Sequence, residues 1–177
     1  MWSVFPDRPS DPWKSPRAGW WIAVWLPVAL ALAVICMEST ETFSSQNTSG
    51  WLRPLFERLF GAFQDENWAS FHHYLRKSGH FLGYGTVSLT FFRAWLYTLG
   101  RRMQPSLRAW RARAALLAIA STALVAGADE FHQTFLPGRT GLFSDVVLDT
   151  CGASALCLLV WFLRFRNCDR QPLPSDA

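Results

Sequence analysis

Residues 128–152, ADEFHQTFLPGRTGLFSDVVLDTCG, crowd acids, one arginine and turn-forming residues into an otherwise apolar part of the chain. Asp129 and Gln133 stand four apart and Glu130 and Gln133 three apart, so a continuing helix sets all three on one polar face. Pro137 disfavours the α conformation at Leu136, and Pro137-Gly138 supplies the fixed and the permissive φ of a type II turn. The chain is therefore predicted to reverse, with Arg139 at the tip, into a second helix on which Asp145, Asp149 and Gly152 share a side. Two kinds of chemistry are open to such a corner. Arg139 can recognise an anion, because its planar fork matches phosphate or carboxylate bidentately. The acids can orient a ligand or, alone or around a hard divalent cation, activate a nucleophile.

A second polar set precedes this corner. Lys77, His80 and Tyr84 are spaced three and four apart and stack on one face at the start of an apolar helix. Gly79 and Gly83, on an adjacent face, form a small-xxx-small pair suited to the close approach of another helix, with the alanine-rich residues 114–128 as its expected partner. Because histidine's unperturbed pKa lies near neutrality, His80 can act as a base or hold a ligand; a hydrogen-bonded packing histidine is the plainer alternative. Tyr84 and Gln133 read first as bridges between helices, and Asp145 equally as a helix cap or a partner of Arg139. For the acids, an interhelical network of ion pairs and hydrogen bonds weighs as much as a ligand site. His72 and His73 read as solvated, and His132 falls off the face shared by Asp129 and Gln133.

The elements that must position these groups read as membrane helices. Half of the 177 residues are apolar and ten are tryptophan. Residues 20–37 carry no charge, and residues 146–165 are interrupted only by Asp149 and, next to the end, Arg164. At 1.5 Å per residue the second run covers about 30 Å, the thickness of a hydrocarbon core. Residues 78–99, which contain Arg93, and residues 114–128 read as two further spans. The expected fold class is all-α: an integral membrane bundle of four transmembrane helices with an amphipathic interfacial helix in the first outer loop. Residues 1–19 read as a disordered tail, 20–165 as the membrane domain and 166–177 as a second tail. The first run is longer than a signal-peptide core and no Ala-x-Ala-like cleavage site follows it, so it reads as an uncleaved anchor, kinked at Pro27. In the outer loop Trp51, Leu52, Leu55, Phe56, Leu59, Phe60 and Phe63 recur at helical spacing opposite Arg53, Glu57 and Arg58, with Pro54 in the first turn. Such a helix is either a lid over a lipid-facing site or a surface-lying connector.

Basic residues gather before the first span, in residues 100–113 and in residues 164–177, and are sparser in the other connections. The positive-inside rule then places both termini in the cytoplasm and the charged corner outside. Arg93, near the inner end of its span, reads as a snorkelling residue. Cys36, Cys151, Cys157 and Cys168 lack the spacing of a metal site or a disulfide framework and read as small buried apolar residues, so no metal is assigned. Nothing points to nucleic acid, because the basic residues sit beside spans, where orientation accounts for them.

Three motifs in order carry a resemblance: K-x-x-H-x-x-x-Y at Lys77, His80 and Tyr84; D-E-x-x-Q-x-x-x-P-G-R from Asp129 to Arg139; and D-x-x-x-D-x-x-G at Asp145, Asp149 and Gly152. With Phe43-Ser-Ser-Gln46 after the first span, they resemble the VanZ-like family of membrane proteins, over roughly residues 20–165. The resemblance implies the bacterial inner membrane and the cell envelope, since the family takes its name from a member associated with low-level teicoplanin resistance. It implies no reaction and no cofactor. At Asp149 the family pattern accepts Asn or Asp.

The leading expectation is an outward-facing site that recognises an anionic envelope component, phosphorylated or lipid-linked. Arg139 and Lys77 would bind the anion, and Asp129, Glu130 and His80 would orient it. An alternative is a membrane-embedded hydrolase or transferase acting on an envelope lipid, although no G-x-S-x-G, H-E-x-x-H or phosphatase-like histidine pair is present. A third is a structural protein whose small-residue helices pack against a membrane-protein partner or a second copy of the chain.

Overall fold

The computed structural model describes residues 4–6, 18–100, 106–137 and 139–165. Among these, all regular structure is helical: α1 (Ala18–Glu38), a 3-10 turn (Glu41–Phe43), α2 (Ser45–Phe60), α3 (Asp65–Leu99), α4 (Leu107–Gln133) and α5 (Phe143–Val160), prolonged by a π-helical turn (Trp161–Phe165). The expected tails fall largely outside the described residues.

By length and composition Ala18–Glu38, Leu107–Gln133 and Phe143–Phe165 are able to cross a membrane. Many of their large apolar side chains point outward, among them Ile22 and Leu30 on α1, Leu116 and Leu124 on α4, Leu158 on α5 and Leu163 on its π-helical extension. Contiguous apolar surface of this kind suits lipid rather than water. α3, which contains the expected second span, is not apolar enough to stand among them. Its position explains why. It packs against α1, α4 and α5, and its residues Tyr84, Val87, Phe92 and Leu96 are buried between them.

Two glycines allow α3 and α5 to lie close together. A Cβ on Gly152 would meet the Phe81 carbonyl oxygen at 2.2 Å, and one on Gly85 would meet the Leu156 side chain at 2.6 Å. The Gly79 and Gly83 pair does not serve this purpose, contrary to the sequence reading. A Cβ on Gly79 would meet nothing within 4 Å, and one on Gly83 only the tip of Ile35 at 4.0 Å.

Several boundaries also move. α3 starts at Asp65, with Asp65 and Glu66 in its first turn, where carboxylates suit the positive end of the helix dipole. It therefore runs well past the expected membrane boundary at residue 78. α4 starts at Leu107, inside the expected basic loop, because the Ser106 side chain accepts the Ala109 N–H at 3.1 Å and caps it. α2 begins at Ser45 under a Ser44 cap, which puts Pro54 in its interior rather than its first turn. It ends at Phe60 because Gly61 takes φ 86°, a conformation that favours glycine. Phe63 thus lies beyond the helix, against Trp68 and Phe71 with ring centroids 5.7 and 5.9 Å away.

Arg93 repairs α1 instead of reaching for headgroups. Pro27 has no N–H to give to the Ala23 carbonyl. The Arg93 guanidinium donates to that oxygen at 3.3 Å and to the Val24 oxygen at 3.0 Å, and lies 5.1 Å over the Tyr97 ring. The cysteine reading holds for Cys157, which is buried 3.1 Å from the Ser88 hydroxyl. Cys36 and Cys151 are exposed instead, because they fall on the outward faces of α1 and α5. All three are free, and Cys168 lies outside the described residues.

Candidate functional site

The helical spacing of Lys77, His80 and Tyr84 gives α3 three successive rungs, each facing an acid. Lys77 pairs with Asp145 of α5. One turn further along, His80 Nδ1 lies 3.5 Å from Asp149 Oδ1, also of α5. One turn further again, the Tyr84 hydroxyl donates to Asp129 Oδ2 of α4 at 2.8 Å.

Asp129 is the best satisfied of the acids. Besides Tyr84 it accepts from the Gln133 amide at 2.9 Å and from the Ser39 hydroxyl at the end of α1. Three helices are thus tied through one carboxylate. Glu130, buried beside it, turns toward α5 and accepts the Leu142 N–H at 2.8 Å, which satisfies one of the open amides at that helix start. A Cβ on Gly141 would meet the Glu130 carbonyl oxygen at 2.1 Å, so only glycine lets the loop pass so close. Asp149 is fully buried. Neither of its oxygens has a hydrogen bond, and neither does His80 Nδ1.

At the turn, the Arg139 N–H donates to the Leu136 carbonyl at 3.3 Å, closing the expected reversal around Pro137. Gly138 itself lies outside the described residues. The Arg139 guanidinium does not pair with Asp145. It donates to the Glu38 and Thr40 carbonyls at 2.5 and 2.9 Å, where α1 has run out of partners of its own. His132 is exposed, in keeping with its helical phase.

A cavity of about 350 Å³ opens between α1, α2, α3 and α4. Its lining combines apolar residues, among them Ile35, Phe43, Trp51 and Leu52, with the polar Arg76, His80, Asp129 and Arg139. Gly79 and Gly83 line it as well, so their missing side chains make room rather than contact. A second cavity of about 200 Å³ adjoins it through Arg76, His80, Gln133 and Arg139, and adds Lys77 and Asp145.

Arg76 escaped the sequence reading. Its guanidinium donates to the Phe43 carbonyl at 3.0 Å and reaches Thr48 Oγ1 at 3.4 Å. Burial first, then the nearby charge of Arg139, press its pKa below the usual arginine value. The available signal was its spacing four before His80 on the helix that carries Lys77. Ser39 also went unremarked, and a lone serine after an apolar helix gives no warning of an Asp129 partner.

His72 is a correction. It is buried and lies parallel to the Trp68 ring at 5.6 Å, with Nε2 3.2 Å from Thr48 Oγ1. The extension of α3 back to Asp65 turns the expected loop into helix, and α2 covers that face. His73 is exposed.

Residues 23–164 match the model of the VanZ/LLP1 family, which covers most of the chain and every residue of the three rungs. The chain belongs to this family. No curated protein and no solved structure matches it. The apolar helices and the family together make this VanZ protein a membrane protein.

Proposed function

We propose that this VanZ protein recognises an anionic amphiphile of the cell envelope, a phosphorylated or lipid-linked headgroup, at the cavity between Arg76 and Arg139. The observation that carries the reading is that these two guanidiniums line both cavities and neither forms an ion pair with a carboxylate among the described residues. Two partly buried positive charges that repel each other are relieved by a bound anion, and arginine forks suit phosphate oxygens. The apolar lining residues Ile35, Phe43, Trp51 and Leu52 suit the first methylenes of an acyl or isoprenoid chain. Lys77, the anion binder expected beside Arg139, is committed to Asp145. Arg76 takes its place in this proposal.

In the same reading the bundle has four spans, α3 being the fourth, and lies in the bacterial inner membrane with both termini cytoplasmic and the rungs outside. α2 then lies in the interface and covers the cavity with Trp51 and Leu52. The exposure of Leu55, Leu59 and Phe60 along its free side supports this placement.

The test is mass spectrometry of lipid retained by protein purified in mild detergent. Wild type is compared with Arg76→Ala, Arg139→Ala and, as a control that loosens α1 away from the cavity, Arg93→Ala. A phosphorylated lipid held by wild type and Arg93→Ala and lost from the other two is expected. Equal retention by all four, or no lipid enriched in wild type, overturns the reading.

A further inference from the structure

We propose that His80, Glu130 and Asp149 form a binding site for a divalent transition metal at the junction of α3, α4 and α5, one ligand from each helix. The proposal is independent of what the cavities hold. One ring nitrogen and one oxygen from each carboxylate lie within 4.8 Å of one another. The His80 Nδ1 to Asp149 Oδ1 separation is 3.5 Å. Ligand atoms around a tetrahedral zinc, each about 2.0–2.2 Å from the ion, stand roughly 3.3–3.6 Å apart. That edge is already in place.

A second observation separates this cluster from an ordinary group of acids. Asp149 is 0 % exposed, and neither carboxylate oxygen has a hydrogen-bond partner; the facing His80 Nδ1 also lacks one. Buried polar groups are nearly always satisfied, and a carboxylate so placed carries a large desolvation cost unless charge or a proton neutralises it. Asp129, one rung away, shows how this fold satisfies a carboxylate when hydrogen bonds suffice: three donors converge on it. No such donors converge on Asp149. Its surroundings are instead a histidine ring and a second carboxylate.

The rest of the arrangement is that of a supported ligand set. The Leu142 amide holds Glu130 through Oε2, as hydrogen bonds to the outer side of ligating carboxylates do. The Tyr84 ring lies nearly parallel to the His80 ring, centroids 6.2 Å apart. One imidazole nitrogen with two carboxylate oxygens suits Zn²⁺, Mn²⁺ or Fe²⁺. Because His80 also lines both cavities, a remaining coordination position would be open to whatever enters them.

The experiment uses the full chain in mild detergent, stripped with a chelator and titrated with Co²⁺, whose visible bands report low-symmetry coordination by nitrogen and oxygen. Saturable uptake of about one equivalent, with visible bands and a higher Tm, is expected for wild type. Asp149→Asn keeps the side-chain shape and removes the charge; it and His80→Gln should weaken binding more than about 100-fold, beyond the usual loss for an outer-shell partner. The exposed-acid control Glu66→Gln should bind like wild type. Should either variant fail to fold, Glu130→Gln replaces it. Wild type without saturable uptake, or with uptake unchanged in Asp149→Asn, overturns the proposal.

Discussion

At the scale of single residues, helical phase decides which group becomes available for chemistry and which is spent on structure. Asp129 and Glu130 are adjacent in sequence, yet one gathers α1, α3 and α4 around its oxygens while the other holds the start of α5. His72 shows the same division in the α2–α3 hairpin. Its ring is stacked on Trp68 and bonded to Thr48 rather than exposed to solvent. Burial, and after it the charge of Arg76, lower its pKa from the ordinary 6.5. The folded state therefore disfavours the imidazolium, while the unfolded chain takes up its proton near pH 6.5. The linkage has one sign: stability is full above the unfolded value and falls as pH drops from there to the folded value. Thermal unfolding in detergent across about pH 7.5 to 5, the side of the unfolded value where the linkage acts, should show this loss in wild type. His72→Gln should flatten the slope; an unchanged slope would mean that His72 is not the group responsible.

At the scale of elements, the close seam between α3 and α5 brings His80 within reach of Asp149, and a single glycine controls it. Gly152→Ala places a methyl group against the Phe81 carbonyl, a backbone atom that cannot swing aside. The cost should lie at or above the upper end of the roughly 1–3 kcal/mol typical of overpacking. Gly127→Ala, where an added Cβ meets nothing within 4 Å, should be neutral or should gain up to about 1 kcal/mol of helix propensity. Equal Tm values for the two variants would contradict this account of the seam. The elements themselves were largely legible. Long apolar runs, the second interrupted by Asp149, marked α1 and α5, Pro137 marked the reversal, and the spacing of Lys77, His80 and Tyr84 marked the face of α3 that meets the acids. Spacing does not say which small residue touches a neighbour. Gly79 and Gly83 had the pattern, while Gly85 and Gly152 have the contacts, because helix rotation is set by packing all the helices at once. Nor could it show that Arg139 reaches back to α1, since a carbonyl at a helix end leaves no mark in the sequence.

At the scale of the whole molecule, the low hydropathy of α3 follows from its place in the bundle. A helix surrounded by protein does not need an apolar circumference, because hydrogen bonds to its neighbours can satisfy its polar side chains. Large apolar side chains stand exposed along α1, α4 and α5, whereas on α3 only Phe71, Tyr74 and Leu82 do so. Lipid-facing helices need apolar side chains over most of their circumference and a central helix does not, so three apolar helices and four crossings are compatible. The two possibilities differ in one observable, the side on which each end of α3 emerges. In a chain with its native cysteines replaced, Tyr74→Cys lies on an exposed position before the proposed span, and Arg108→Cys on an exposed position beyond it. With a membrane-impermeant maleimide in spheroplasts, the cysteine at 74 should be labelled at once and that at 108 only after permeabilisation. Labelling of both from the same side would mean that α3 does not cross. The rungs would then no longer be fixed at the outer face, and the cavity could not be addressed to envelope lipid from that side.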